Sequence, residues 1–188
     1  MAKKFNIAAF AAFGLTAVAA VLYGVTKIEI VLTFAIIFGT IAYHLIMRLL
    51  VSAAVNRVMR DRVDFNKRRY RAGTREMMFY KKIGLQKLKS KMPTYNPALY
   101  DPRKHSWEEI AVVMCKAEVV HETNAVLSFL PIVAGFAFGA FPVFIVTSVL
   151  AALFDLIFVM IQRYNRQRIV IMLAQRRQLR EKRKMTNF

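Results

Sequence analysis

The sequence has a single cysteine, Cys115. One thiol excludes an internal disulfide and a zinc site built from four cysteines. Acid is scarce as well: 11 Asp and Glu stand against 29 Lys and Arg, a net charge of +18. The chain carries no internal repeat. The zinc-protease pattern His-Glu-x-x-His is also missing, because Ala125 stands where the second histidine would follow His121.

What is present is apolar and basic in separate blocks. Hydrophobic residues make up 57% of the 188, above the roughly 45–50% of a soluble domain. Most of the Lys and Arg fall in two blocks, 48–104 and 163–184. Apolar runs cover about 7–25, 30–51, 125–141 and 142–161. Each approaches the roughly 20 residues that carry a helix across a bilayer. The first run reads as a retained span or as a cleavable signal with Ala17-Val18-Ala19 near its end; its length favours the span. The fold class expected is all-α, a polytopic membrane protein of four transmembrane helices plus interfacial amphipathic helices. Residues 1–188 then form a single membrane domain.

Charge orients it. Lys3 and Lys4, the 48–105 segment and the 163–188 tail belong on one side, since the connections at 26–29 and 135–142 carry only Lys27 and Glu29. The positive-inside rule then places both termini in the cytoplasm of a multi-pass cell-membrane protein. Within 48–105, Arg48 to Phe65 and Thr74 to Lys91 carry apolar residues at helical spacing among basic ones. Such helices lie among anionic headgroups. Ser106-Trp107-Glu108-Glu109 reads as a capping box that opens one long helix entering the bilayer. Gly135, Gly139 and Pro142 mark the reversal before the last span.

Glu118, His121 and Glu122 share one face of that helix near the lipid boundary. A charge at such depth is expensive and marks a candidate site. Glu118 could hold His121 as a general base toward a hydroxyl or thiol. It could also form half of a di-metal centre with His121, but that needs a second Glu-x-x-His, which the chain lacks. The plainer reading is an interfacial helix whose acids pair with cytoplasmic Lys and Arg. Asp155 in the last span is expected to pair with His44 or a cytoplasmic arginine, or to stay neutral and hydrogen-bonded. Arg163 and Arg166 share a face at the end of that span, with Tyr164 at the aromatic belt. Their forks suit a phosphate, or they form a basic stop-transfer flank.

In order, Phe79-Tyr80, Lys87-Leu88-Lys89, Tyr100-Asp101, Ala117-Glu118-x-x-His121, Leu130-Pro131-Ile132 and Gln162-Arg163-Tyr164-Asn165-Arg166-x-Arg168 resemble the glycosyl-4,4'-diaponeurosporenoate acyltransferases over about residues 76–180. Those small membrane proteins attach a fatty acyl chain to a sugar hydroxyl of a glycosylated carotenoid. The resemblance implies Glu118 and His121 as catalytic candidates. It implies Arg163, Tyr164, Asn165, Arg166 and Arg168 as the terminal motif. Lys87, Lys89, Glu122 and Asp155 complete the expected substrate-binding set. Glu122 stands where an aromatic residue is expected, Asp155 has no clear counterpart, and the 7–51 hairpin is an addition. The His-x-x-x-x-Asp pattern of common glycerolipid acyltransferases is missing, since Leu49, Ile110 and Val126 occupy the Asp positions.

The expected function is therefore transfer of a fatty acyl group to a hydroxyl of a glycolipid or related lipid acceptor at the cytoplasmic face. No metal or resident cofactor is expected; acyl-CoA or acyl-carrier-protein would serve as co-substrate. Membrane lipids and the acyl donor are the expected partners, nucleic acid is not, and homo-oligomer formation is open. The rival reading is a non-enzymatic membrane protein that binds anionic lipid or a partner enzyme through its basic face.

Overall fold

A computed structural model describes residues 2–60, 63–87, 92 and 96–186. Every regular element among them is helical. Helix α1 covers Ala2–Thr26 and α2 Glu29–Met59. The short α3 covers Thr74–Lys82, α4 Trp107–Leu127, the single turn α5 Gly135–Phe138, and α6 Phe141–Thr186. Four helical stretches are long and apolar enough to cross a membrane: Lys3–Thr26, Glu29–Met59, Trp107–Phe138 and Phe141–Met185.

Two expected boundaries move. The helix anticipated from Ser106 through 125–141 ends at Leu127 and gives way to a 3-10 turn over Leu130–Ala134. Pro131 lies in the first turn of that segment. It has no N–H for an α-helical bond and its ring crowds the preceding turn. Second, Arg48 does not open a separate interfacial helix. It lies inside α2, which runs on to Met59. The second amphipathic stretch forms α3, and Gly84 at φ +67° ends it in a left-handed turn; residues 88–91 lie outside the described set.

The chain divides into two compact units, one of Met1–Arg57 with Val120–Leu156 and one of Val58–Val119 with Ile157–Phe188. In the first unit small and polar side chains face inward, among them Ala9, Ala12, Ala42, Ser148 and Ala152. Large apolar ones face outward: Phe10, Val25, Phe136 and Leu150 are well exposed. That inversion costs free energy in water and none in lipid. The second unit has two small apolar clusters. Ile110, Ala111 and Met114 pack on Ile169 and Leu173, while Tyr80 and Leu85 pack on Ile161 and Tyr164.

The reversal between α5 and α6 is built as the glycines suggest. Gly139 takes φ +68°, a left-handed value that closes α5 without steric cost. Gly135 serves contact instead: a Cβ there would sit 2.6 Å from Cδ1 of Phe141. Gly135→Ala should therefore destabilise the purified protein by about 1–3 kcal/mol through overpacking. Gly24→Ala, with nothing within 4 Å of its Cβ, should be neutral or slightly stabilising. Thermal unfolding in detergent would show the contrast, and equal effects would refute the Phe141 contact.

Candidate functional site

In the second unit, Glu118 of α4 is fully buried, and so is Arg166 of α6. Arg163 and Arg166, three residues apart, share a face of α6 and reach the same carboxylate. Arg163 Nη1 donates to Glu118 Oε1 at 2.7 Å, and Arg166 Nη1 donates to Glu118 Oε2. The remaining donors also find protein. Arg166 Nε and Nη2 donate to the Tyr70 carbonyl at 3.1 and 2.6 Å, and its guanidinium lies 5.1 Å from the Tyr70 ring centroid. Arg163 grips Glu76 of α3 with two bonds, Nε to Oε1 at 2.6 Å and Nη2 to Oε2 at 3.1 Å. It also reaches the carbonyls of Arg69 and Arg71. These forks, expected at a phosphate, are turned inward to hold a carboxylate and a loop.

The rest of the terminal motif is likewise engaged. Buried Tyr164 accepts from Gln86 Nε2 at 2.6 Å and stands edge-on to Tyr80. Asn165 Nδ2 bonds the Ile161 carbonyl one turn back, and the Arg168 guanidinium lies over the Tyr164 ring. Gln167 accepts from the Ala72 N–H at 3.1 Å. Glu76 additionally accepts from Tyr80 and caps the Gly73 N–H. Burial raises the Glu76 carboxyl, but the bonds from Arg163 and Tyr80 outweigh it and leave it below the ordinary glutamate range. Burial, and then the bond to Glu76, push the Tyr80 phenol up.

A cavity of about 210 Å³ opens in this unit, lined by Lys81, Gly84, Leu85, Gln86, Lys87 and Tyr164. Lys81 and Lys87 are exposed at its edge. Lys89 lies outside the described residues.

The first unit carries the other buried carboxylate. Asp155 of α6 has 0% exposure. Its Oδ2 accepts from Arg48 Nη2 at 2.6 Å, and Arg48 Nη1 bonds the His44 carbonyl at 2.9 Å. Asp155 Oδ1 lies 2.8 Å from Nδ1 of His121. A proton on Nδ1 that points at a fixed carboxylate leaves the ring's lone pair on Nε2. The His121 side chain keeps 22% of its surface exposed, so reactants can approach it. Glu122 beside it is half-buried. The carboxylate beside Nδ1 of His121 is that of Asp155, while the oxygens of Glu118 go to the two arginines. Arg48, the cation expected only in general terms for Asp155, takes the place considered for His44.

Removing the Glu118 charge leaves the fully buried Arg166 without a carboxylate, while Arg163 keeps Glu76. Glu118→Ala should cost about 3–5 kcal/mol of stability, seen as a large fall in the thermal midpoint; an unchanged midpoint would contradict the pairing. The lowered Glu76 carboxyl binds protons more weakly folded than unfolded. Its contribution is therefore complete above the ordinary glutamate range and lost as pH falls through the lowered value. Glu76→Gln should flatten the loss of thermal stability between about pH 5 and pH 3, and an unaltered acid limb would refute this.

The family model described as Glycosyl-4,4'-diaponeurosporenoate acyltransferase matches residues 61–175, more than half of the chain. No curated protein and no solved structure matches the chain. The matched stretch contains Glu76, Glu118, His121, Asp155, Arg163 and Arg166, while Arg48 precedes it. With its four membrane-length helices and a matched region that spans both buried carboxylates, the chain belongs to the glycosyl-4,4'-diaponeurosporenoate acyltransferase family.

Proposed function

We propose that this protein moves a fatty acyl group from a thioester donor to a hydroxyl of a membrane-embedded glycolipid or related lipid alcohol. The observation that carries the reading is the His121–Asp155 pair braced by Arg48. Nε2 of His121 takes the acceptor's hydroxyl proton as the oxygen attacks the thioester carbonyl carbon. The tetrahedral intermediate collapses, the C–S bond breaks, and the proton passes from Nε2 to the leaving thiolate. An ester and a free thiol result, so protons and electrons balance. Asp155 stabilises the imidazolium formed on the way and holds the ring in place.

The donor is acyl-CoA or acyl-carrier-protein. Arg163 and Arg166 are held by Glu118, Glu76 and backbone carbonyls. The basic blocks support a cytoplasmic active face in the cell membrane, with both termini on that side. The added α1–α2 hairpin, which supplies Arg48, supports an acceptor other than a glycosylated carotenoid.

A non-enzymatic role gains support from the exposed basic end of α6, where Arg177, Arg180, Arg183 and Lys184 line an open surface. It predicts salt-sensitive binding to anionic vesicles and no acylated product from any donor. His121→Ala should lower transfer by about 10²–10⁴-fold in protein that remains folded. Unchanged transfer in purified protein would sink the mechanism. Asp155→Asn should lower kcat while both KM values hold, because Asp155 acts through the ring. A change confined to KM would assign it to substrate instead.

A further inference from the structure

Helix α6 outlasts the helix that covers it. In the second unit its Ile169 and Leu173 pack on Ile110, Ala111 and Met114 of α4, and Trp107, the first residue of α4, lies against the same cluster. Arg166, three residues before Ile169, reaches the buried Glu118 of α4 from this face. Continued at helical spacing, the row Arg166, Ile169, Leu173 becomes Arg176 and Arg177, then Arg180, then Arg183 and Lys184. The helix runs on to Thr186, about 20 Å past Leu173. Residues 174–185 are all exposed. One face of α6 is thus apolar and buried against α4, then basic and uncovered.

Arg183 and Lys184 suit the negative end of the helix dipole, which acts only over the last turn. Arg176, Arg177 and Arg180 lie earlier. Like charges four residues apart, as in the row Arg176, Arg180 and Lys184, oppose the helix. Glu181, four residues after Arg177, offsets only part of this. A membrane surface is too far away to supply the rest. In the orientation proposed above the apolar run ends at Ile161, and the basic face stands about 22–35 Å beyond it along the helix. At a typical tilt of about 20° that is about 21–33 Å from the hydrocarbon, beyond a headgroup layer of roughly 5–8 Å and a screening length of about 8 Å. Nucleic acid would find no aromatic side chain for stacking within 174–185, and Glu181 would repel its phosphates.

We infer that Arg176, Arg177, Arg180, Arg183 and Lys184 form a docking face for an acidic soluble protein, the carrier that brings the thioester donor. This rests on the function proposed above and chooses between its two donors. The face continues an interface in which α6 already meets a carboxylate, Glu118, through Arg163 and Arg166. A partner that lays Asp and Glu side chains along the overhang extends that pattern and relieves the repulsion within it. Such charges steer association and set register more than they add affinity. Size separates the two donors. A free nucleotide thioester gripped this far from the apolar run would keep its acyl group in water. A carrier domain of ~80 residues has a radius of gyration of about 12 Å, hence a diameter of about 30 Å, enough to lie along the overhang and still reach the membrane face.

The full chain in phosphatidylcholine nanodiscs is titrated with purified holo-acyl-carrier-protein, and binding is read by biolayer interferometry. Arg177→Gln with Arg180→Gln is compared with Gln175→Glu with Gln178→Glu, which changes the net charge equally on the opposite face. The wild type should bind the carrier with an affinity that falls as salt rises. The arginine pair should weaken binding about tenfold and the glutamine pair less than about threefold, with both thermal midpoints unchanged. With acyl-carrier-protein as donor, the arginine pair should raise KM and leave kcat as it is. No carrier binding by the wild type, or equal weakening by the two pairs, would overturn the inference. So would tighter, face-dependent binding of phosphatidylglycerol vesicles or of a single-stranded DNA oligomer. Transfer from acyl-CoA by a chain that ignores the carrier would sink this inference and leave the proposed function standing. Carrier binding without transfer from any donor would refute that function and leave the docking face.

Discussion

A carboxylate stays ionised in an apolar interior only with a cation beside it. This chain has few acids, and two of them, Glu118 and Asp155, are buried completely. Both are held by arginine, and the rest of each unit follows from how. Glu118 gives its two oxygens to Arg163 and Arg166, which in turn clamp Glu76 and the Tyr70 carbonyl. That network is complete in itself and holds the basic loop against α4 and α6. Asp155 gives one oxygen to Arg48 and the other to His121. The same constraint, met with one arginine, leaves a carboxylate oxygen for a histidine.

The consequence for chemistry is a division of labour between the two acids. A carboxylate already bound to two guanidiniums has little left to orient an imidazole, and its loss disturbs structure first. One bound to a single guanidinium remains a strong acceptor for an N–H and can stabilise a transient positive charge on the ring. The hairpin of α1 and α2 lies outside the residues matched by the family model, yet it supplies Arg48. The proposed catalytic pair therefore depends on a part of the chain beyond that match.

Much of the architecture was readable in advance because it is local. Apolar runs of spanning length became helices, and Ser106 and Glu109 form the reciprocal capping box, bonded at 2.8 and 3.2 Å. The break at Pro131 was missed because the run around it is uniformly apolar and masks a backbone interruption. The site was half readable. Glu118 and His121 stood out by cost and spacing, but spacing favoured a partnership between neighbours. The actual partner of His121 is 34 residues away, and the cation beneath it is 107 residues from Asp155. Pairing of Glu118 with basic residues is the plainer reading of its helix, but that Arg163 and Arg166 also turn inward to the carbonyls of Arg69, Tyr70 and Arg71 had no sequence signal.

The most direct test of this division is the state of the His121 ring. The chain has three histidines, so ¹⁵N NMR of histidine-labelled protein in a bilayer can resolve each ring. His121 should carry a hydrogen-bonded proton on Nδ1 and the lone pair on Nε2. This signature should persist when Glu76 is replaced and vanish in Asp155→Asn. A proton on Nε2, or a ring indifferent to Asp155, would contradict it.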